Sequence, residues 1–138
     1  MMHLKLLVFL LAIFPFFSDI ENPFAETIAL SKKEGKQILL VFSGSDWCHG
    51  CMHFKQQVLD KQTILREIEQ NYIIHNVDFP RNNSFSKEKV AENKELAEAY
   101  NPEGVFPRIL VIDHKQTKSQ VIPYSPGAEK EFLRALSH

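Results

Sequence analysis

Two cysteines, Cys48 and Cys51, are all the thiols in a chain of 138 residues. With no second Cys-x-x-Cys, the usual four-ligand structural zinc site lacks half its thiolates. Charge of one sign is equally scarce. Sixteen basic side chains stand against 17 acidic ones, for a net charge of −1. That balance excludes broad electrostatic attraction to nucleic acid or to an anionic membrane surface. No internal repeat and no low-complexity tract occurs. No apolar run reaches the ~20 residues that a membrane-spanning helix requires. The length suits one domain with a single hydrophobic core.

What is present begins with "MMHLK" and twelve apolar residues from Leu6 to Phe17. A basic start and a run of that length predict an export signal over residues 1–18, with an uncleaved anchor as the alternative. Ser18 is a small residue at a plausible cleavage position, although Phe16 two before it is bulky. Removal of residues 1–18 would leave 15 basic against 17 acidic side chains and both cysteines. An exported domain meets conditions where disulfides persist, so its thiols are read accordingly.

The remainder, residues 22–138, reads as one α/β domain. Asn22 and Pro23 open a helix that Gly35 stops, with Phe24, Ala25, Ile28 and Ala29 on its apolar side. "QILLVFS" has the unbroken apolar character of a strand buried on both faces. Residues from Cys48 to about Asp60 predict a helix with Cys51, Phe54, Val58 and Leu59 inward, and "KQTILREIEQ" a further short one. "YIIHNVDF" is a second buried strand. Within the polar stretch 80–104, Val90, Leu96, Ala97 and Tyr100 outline a helix. "RILVIDHKQTKSQVIPYS" predicts a hairpin turning near His114–Lys118, and "AEKEFLRALSH" a final amphipathic helix. This order describes a mixed central sheet of about four strands flanked by helices, its first pair parallel and its last antiparallel.

The pattern places "SGSDWCHGCMHF" where the first strand hands over to a helix. A thiolate at Cys48 would face unpaired amide groups and the positive end of the helix dipole, which lower a thiol's pKa from ~8.5. Cys51, one turn on, could close on a mixed disulfide formed at Cys48. A loop this short adds little as a structural staple. Covalent haem attachment needs His after the second cysteine, where Met52 stands. A metal-binding reading remains, with His49, His53 or His75 beside the thiols and Met52 as a soft donor for copper.

"DWCHGC" after a buried strand and "GVFP" before the next one together resemble the thioredoxin superfamily over nearly all of residues 22–138. "FSGSDWCHGC" and the long insert before "GVFP" are similar to short exported thioredoxin-like proteins of bacterial envelopes, of the Dsb type. The resemblance implies a cis Pro107, with the backbone of Phe106 pairing with a bound substrate peptide. It implies Cys48 and Cys51 as the redox pair, no cofactor beyond their disulfide and no resident metal. The implied partners are protein thiols and disulfides of the periplasm or envelope and a separate redox partner. Nucleic acid is not among them, and a membrane only through the N-terminal segment.

Departures from the family pattern are specific. Phe42 stands where thioredoxin has a buried acid, and Ile74 where its lysine partner falls. The dipeptide between the cysteines is His49-Gly50, and Arg108 follows the proline in place of a threonine. His49 or Arg108, if turned toward Cys48, would favour its thiolate, and Asp46, if close, would oppose them or would instead shape the turn into Trp47. Trp47 is read as packing beside the pair. His53, His75 and His114 read as surface or core histidines, and Asn82-Asn83-Ser84 as a chance glycosylation triplet. These residues suggest an exported thiol–disulfide oxidoreductase, in the reductive direction first. A dithiol oxidase or isomerase with the same residues is the alternative, and a copper- or zinc-binding chaperone the rival from another class.

Overall fold

The computed structural model describes residues 22–138. The export signal expected over residues 1–18 lies outside the described residues. Strand β1 (Gln37–Ser43) runs through the centre with Ile38 to Phe42 buried, because five consecutive apolar side chains supply both of its faces. On one side it pairs in parallel with β2 (Tyr72–Asp78), Gln37 opposite Tyr72. On the other it pairs antiparallel with β3 (Arg108–Ile112), Phe42 opposite Arg108. The short β4 (Ser119–Val121) completes a four-stranded mixed sheet in the order β2-β1-β3-β4.

Helices cover both faces. Helix α1 (Pro23–Glu34) starts where the Asn22 side chain accepts the Ala25 N–H and ends where Gly35 takes a left-handed conformation at φ 65°. With α4 (Lys87–Tyr100) it covers Ile38, Leu40, Phe42, Leu110 and Ile112. The opposite face, with Leu39, Val41, Ile109 and Val111, packs against α2 (His49–Phe54), α3 (Gln62–Glu69) and α5 (Glu129–Leu136). After Phe54, α2 continues as a π-helical turn over Lys55–Leu59, closed by the Asp60 N–H on the Lys55 carbonyl at 2.8 Å. Between β3 and β4 the Asp113 carboxylate accepts the backbone N–H groups of Thr117 and Lys118, which fixes the turn. Among the described residues no helix is long and apolar enough to cross a membrane.

Two faces differ from the apolar stripes expected. On α1 the buried positions are Phe24, Thr27 and Ser31, while Ala25 and Ala29 are exposed. On α4 Val90 is 53% exposed and Asn93 is buried in its place. Each buried polar group answers a hydrogen-bonding partner, which apolar periodicity does not register. Thr27 donates to the Pro23 carbonyl and Asn93 to the Asp78 carbonyl.

Candidate active site

The site is assembled at the C-terminal end of β1. Its first requirement is at Gly44, where any Cβ would overlap the indole of Trp47. The Gly44 carbonyl then accepts the N–H groups of Trp47 and Cys48, folding the chain into the turn that starts α2. Cys48 is the N-cap of α2, with extended backbone, and its sulfur accepts the Cys51 N–H at 3.2 Å. An N-cap sulfur receives the unpaired amides of the first turn and the positive end of the peptide dipoles, both of which favour a thiolate there. Cys48 and Cys51 are joined as a disulfide with Cα atoms 5.2 Å apart. Both residues are buried, Cys48 7% and Cys51 4% exposed.

The loop before β3 closes over this pair. The Phe106–Pro107 peptide is cis. A Cβ at Gly50 would stand 3.1 Å from Cδ of Pro107, so the absence of a side chain at Gly50 is what lets the proline lie against the start of α2. Asn101, buried, holds the loop by donating to the Val105 carbonyl and accepting its N–H. Phe106 sets its ring against Trp47 at 5.3 Å and Phe79 at 5.8 Å, both edge-on. Trp47 donates its indole N–H to the Phe79 carbonyl at 2.7 Å, and the Arg81 guanidinium lies 5.3 Å from the centre of its ring. The Asp46 carboxylate accepts the Arg81 N–H, tying the segment after β2 to the cysteine turn.

The other residues singled out in the sequence take distinct positions. His49 is exposed at the first helical position. Arg108 shares the sheet face of Phe42, and its guanidinium pairs with Glu103 at 3.0 Å. Phe42 is buried on the α1–α4 face, whereas Ile74 packs against the α2–α5 core. His53 turns away from the thiols to Tyr124, 2.7 Å from its hydroxyl, with Glu129 3.5 Å from the same nitrogen. Burial, then the hydrogen bond and charge of Glu129, push the Tyr124 phenol up to about 12. Among the described residues no three His, Cys, Asp or Glu side chains converge as a metal site. Sequence reasoning missed Ser43, Ser45 and Asp78, which gather next to Cys51, as well as Phe79, Arg81 and Asn101. Only the strand-ending "VD" hinted that an acid would emerge at the level of the cysteine turn.

A family model described as a thioredoxin-like domain matches residues 24–136. The chain belongs to the thioredoxin-like family. Of this thioredoxin-like domain's relatives, a protein of Chlamydia pneumoniae named disulfide bond reductase DsbH is 32% identical over 110 residues. The match takes in 80% of this chain and 66% of that protein, so the chain spans just under two thirds of its relative's length. A solved structure titled DsbH oxidoreductase superposes with a TM-score of 0.67 at 30% identity, covering 83% of this chain and 81% of that one. A thioredoxin from Thermus thermophilus superposes with a TM-score of 0.58 at 19% identity over 83% and 81% of the two chains, a likeness of fold alone.

Proposed function

We propose that this thioredoxin-like domain is an exported thiol–disulfide oxidoreductase acting on proteins of the bacterial envelope, in the reductive direction. The observation that carries the reading is the Cys48–Cys51 disulfide at a helix start, with Cys48 as N-cap and the Phe106–Pro107 loop against it. Reduced Cys48 attacks a substrate disulfide and forms a mixed disulfide, one substrate sulfur leaving as thiolate. Cys51 then attacks the Cys48 sulfur, which releases the second substrate sulfur and restores the Cys48–Cys51 disulfide. A separate dithiol partner returns the pair to the reduced state. No cofactor and no resident metal take part.

The remaining residues shape the encounter. Phe106 offers its backbone to an extended substrate segment, and Pro107, seated on Gly50, keeps that segment at the level of Cys48. Trp47 walls the other side, its ring fixed by Phe79, Phe106 and Arg81. His49, exposed beside the nucleophile, adds positive charge when protonated, which favours the thiolate and supports the oxidase as second reading. Export rests on the apolar stretch at residues 6–17, and the direction on the reductase named among the relatives. Equilibration with glutathione buffers separates the two directions. A reduction potential near the ~−270 mV of thioredoxin fits the reductase, and one near the ~−120 mV of the strong oxidant DsbA ends that reading. A Cys51→Ala variant expressed in the native envelope should accumulate mixed disulfides. Its failure to do so, together with stoichiometric copper on the reduced parent, would favour the metal chaperone.

A further inference from the structure

Cys51 can attack only after losing its proton, and its residue is 4% exposed. A thiol in such surroundings gives up a proton reluctantly, because burial disfavours the charged sulfur. A base reachable from inside the protein would remove that obstacle. A cavity of about 660 Å³ opens beside Cys51 and is walled in part by Ser43, Ser45, Asp78 and Pro107. It is wide enough for several waters.

Four ionisable side chains line this cavity: Lys55, Asp60, Glu69 and Asp78. Lys55 and Asp60 are bonded to each other at 2.8 Å with side chains 64% and 49% exposed, so they face bulk water. Glu69 is exposed on α3. Asp78 is held differently. Its Oδ1 accepts the Ser45 N–H at 2.9 Å and the Ser43 hydroxyl at 3.3 Å, and its Oδ2 accepts the Ser45 hydroxyl at 2.6 Å. The carboxylate is thereby fixed in orientation against the turn that delivers Cys48. Strand alternation puts it on the same sheet face as Ile74 and Val41, the face that Cys51 packs against.

We infer that Asp78 takes the proton of the Cys51 thiol, through water in this cavity, during closure of the mixed disulfide. The inference rests on the roles proposed above for Cys48 and Cys51. The Cys51 S–H proton passes to the carboxylate, and the freed sulfur pair forms the bond to the Cys48 sulfur. The bond between Cys48 and the substrate sulfur breaks, its electron pair leaving with the substrate as a thiolate that takes a proton from solvent. The two cysteines give up the two electrons that reduce the substrate disulfide. Asp78 then returns its proton to solvent, and the same path runs backwards when the pair is reduced.

Asp78→Asn tests this with little disturbance, since the amide oxygen still accepts the Ser45 N–H. Reduced protein is mixed with excess of an aromatic disulfide reagent that releases one coloured thiol on attack and a second on ring closure. In Asp78→Asn the first phase keeps its rate, and the second slows about tenfold or more at neutral pH. The second phase recovers in alkaline buffer, where hydroxide replaces the lost base. Asp78→Glu, which keeps a carboxylate, regains part of the rate, and all variants melt as the parent does. A second phase in Asp78→Asn as fast as in the parent at neutral pH overturns the inference. So does an equal slowing of both phases at every pH, the signature of a role in loop structure alone. The cysteine roles are read separately: Cys51→Ser must keep the first phase and Cys48→Ser must lose it. The opposite result sinks the underlying assignment whatever Asp78 does.

Discussion

The two faces of the sheet are built on different terms. The face under α2, α3 and α5 is apolar and aromatic. Phe54 and Phe132 meet edge-on at 5.2 Å, Tyr124 closes on both, and Val58, Ile68 and Leu136 fill the remainder. The face under α1 and α4 buries polar side chains among its apolar ones: Thr27, Ser31, His75 and Asn93. The cysteine pair is anchored on the first kind of ground. A helix that presents a reactive sulfur at its start gains from non-directional packing along its length, which holds it without competing for hydrogen bonds. The polar face is held by specific bonds, and through His75 its stability depends on protonation.

The sharpest break of that contrast is Phe54→Ala. Phe54 is 1% exposed and lies one turn beyond Cys51, so truncation leaves a cavity beneath the helix that carries the pair. A loss of about 3–5 kcal/mol is expected, read from chemical denaturation. A loss under about 1 kcal/mol would show that this face is held by something other than aromatic packing.

The second test falls on the polar face. Thr27 spends its one hydroxyl proton on the Pro23 carbonyl, so His75 donates from Nδ1 to Thr27 at 2.8 Å and buries an unpartnered, unprotonated Nε2. Burial, with Lys89 adding to it, pushes the His75 pKa from 6.5 down to about 4. The unfolded chain therefore binds a proton between those values that the folded chain refuses. The stability His75 contributes is whole above pH 6.5 and is lost as pH falls to about 4. The depressed pKa corresponds to about 3 kcal/mol across that window. His75→Leu should flatten this part of the stability–pH curve. An unchanged slope would mean that the acid sensitivity belongs to another group.

A smaller effect separates activity from stability at the cysteine end. Gly50→Ala adds a methyl 3.1 Å from Pro107 and removes a glycine from a helix. Turnover of a protein disulfide should fall severalfold, while stability holds or rises by up to about 1 kcal/mol. Undiminished turnover would show that the seating of Pro107 on Gly50 does not matter to exchange. Smallest of all is Asp60→Asn, which breaks the surface pair with Lys55 beyond the π-helical turn. Less than about 1 kcal/mol should be lost, and nothing from the exchange rate. A larger loss would assign this exposed pair a structural part in holding the active-site helix.

Much of the architecture was legible because it is written in short-range patterns. The unbroken "QILLVFS", the cap at Asn22, the stop at Gly35 and the turn at residues 113–118 each involve neighbours within a few positions. The stripes of α1 and α4 were misread at Thr27, Ser31, Val90 and Asn93, because a buried hydroxyl or amide is indistinguishable from a surface one until its partner is known. At the site, Cys48 and Cys51 stood out by their spacing and Pro107 by its place before a strand. Asp46 was read either as a charge near the thiols or as a shaper of the turn into Trp47, and its carboxylate accepts the backbone N–H of Arg81, a partner 35 positions away. His53 was read as a surface or core histidine, or a metal ligand beside the thiols, and is a link between α2 and the segment before α5 in the fold.

By itself the order of residues determined which segments coil, which extend, and that a thiol pair follows the central strand where a helix begins. These are consequences of side-chain periodicity and of the backbone groups left unpaired at a helix start, both complete within a dozen residues. What surrounds the sulfurs was decided only by the tertiary structure. Asp78 meets Ser45 across 33 positions, Tyr124 meets His53 across 71, and Trp47 finds the Phe79 carbonyl across 32. The first and last of these exist because parallel pairing of β1 with β2 brings two strand ends to one level, the second because α2 and the segment before α5 pack on the same sheet face. Nothing in the local pattern of any of these segments encodes which side chains then touch.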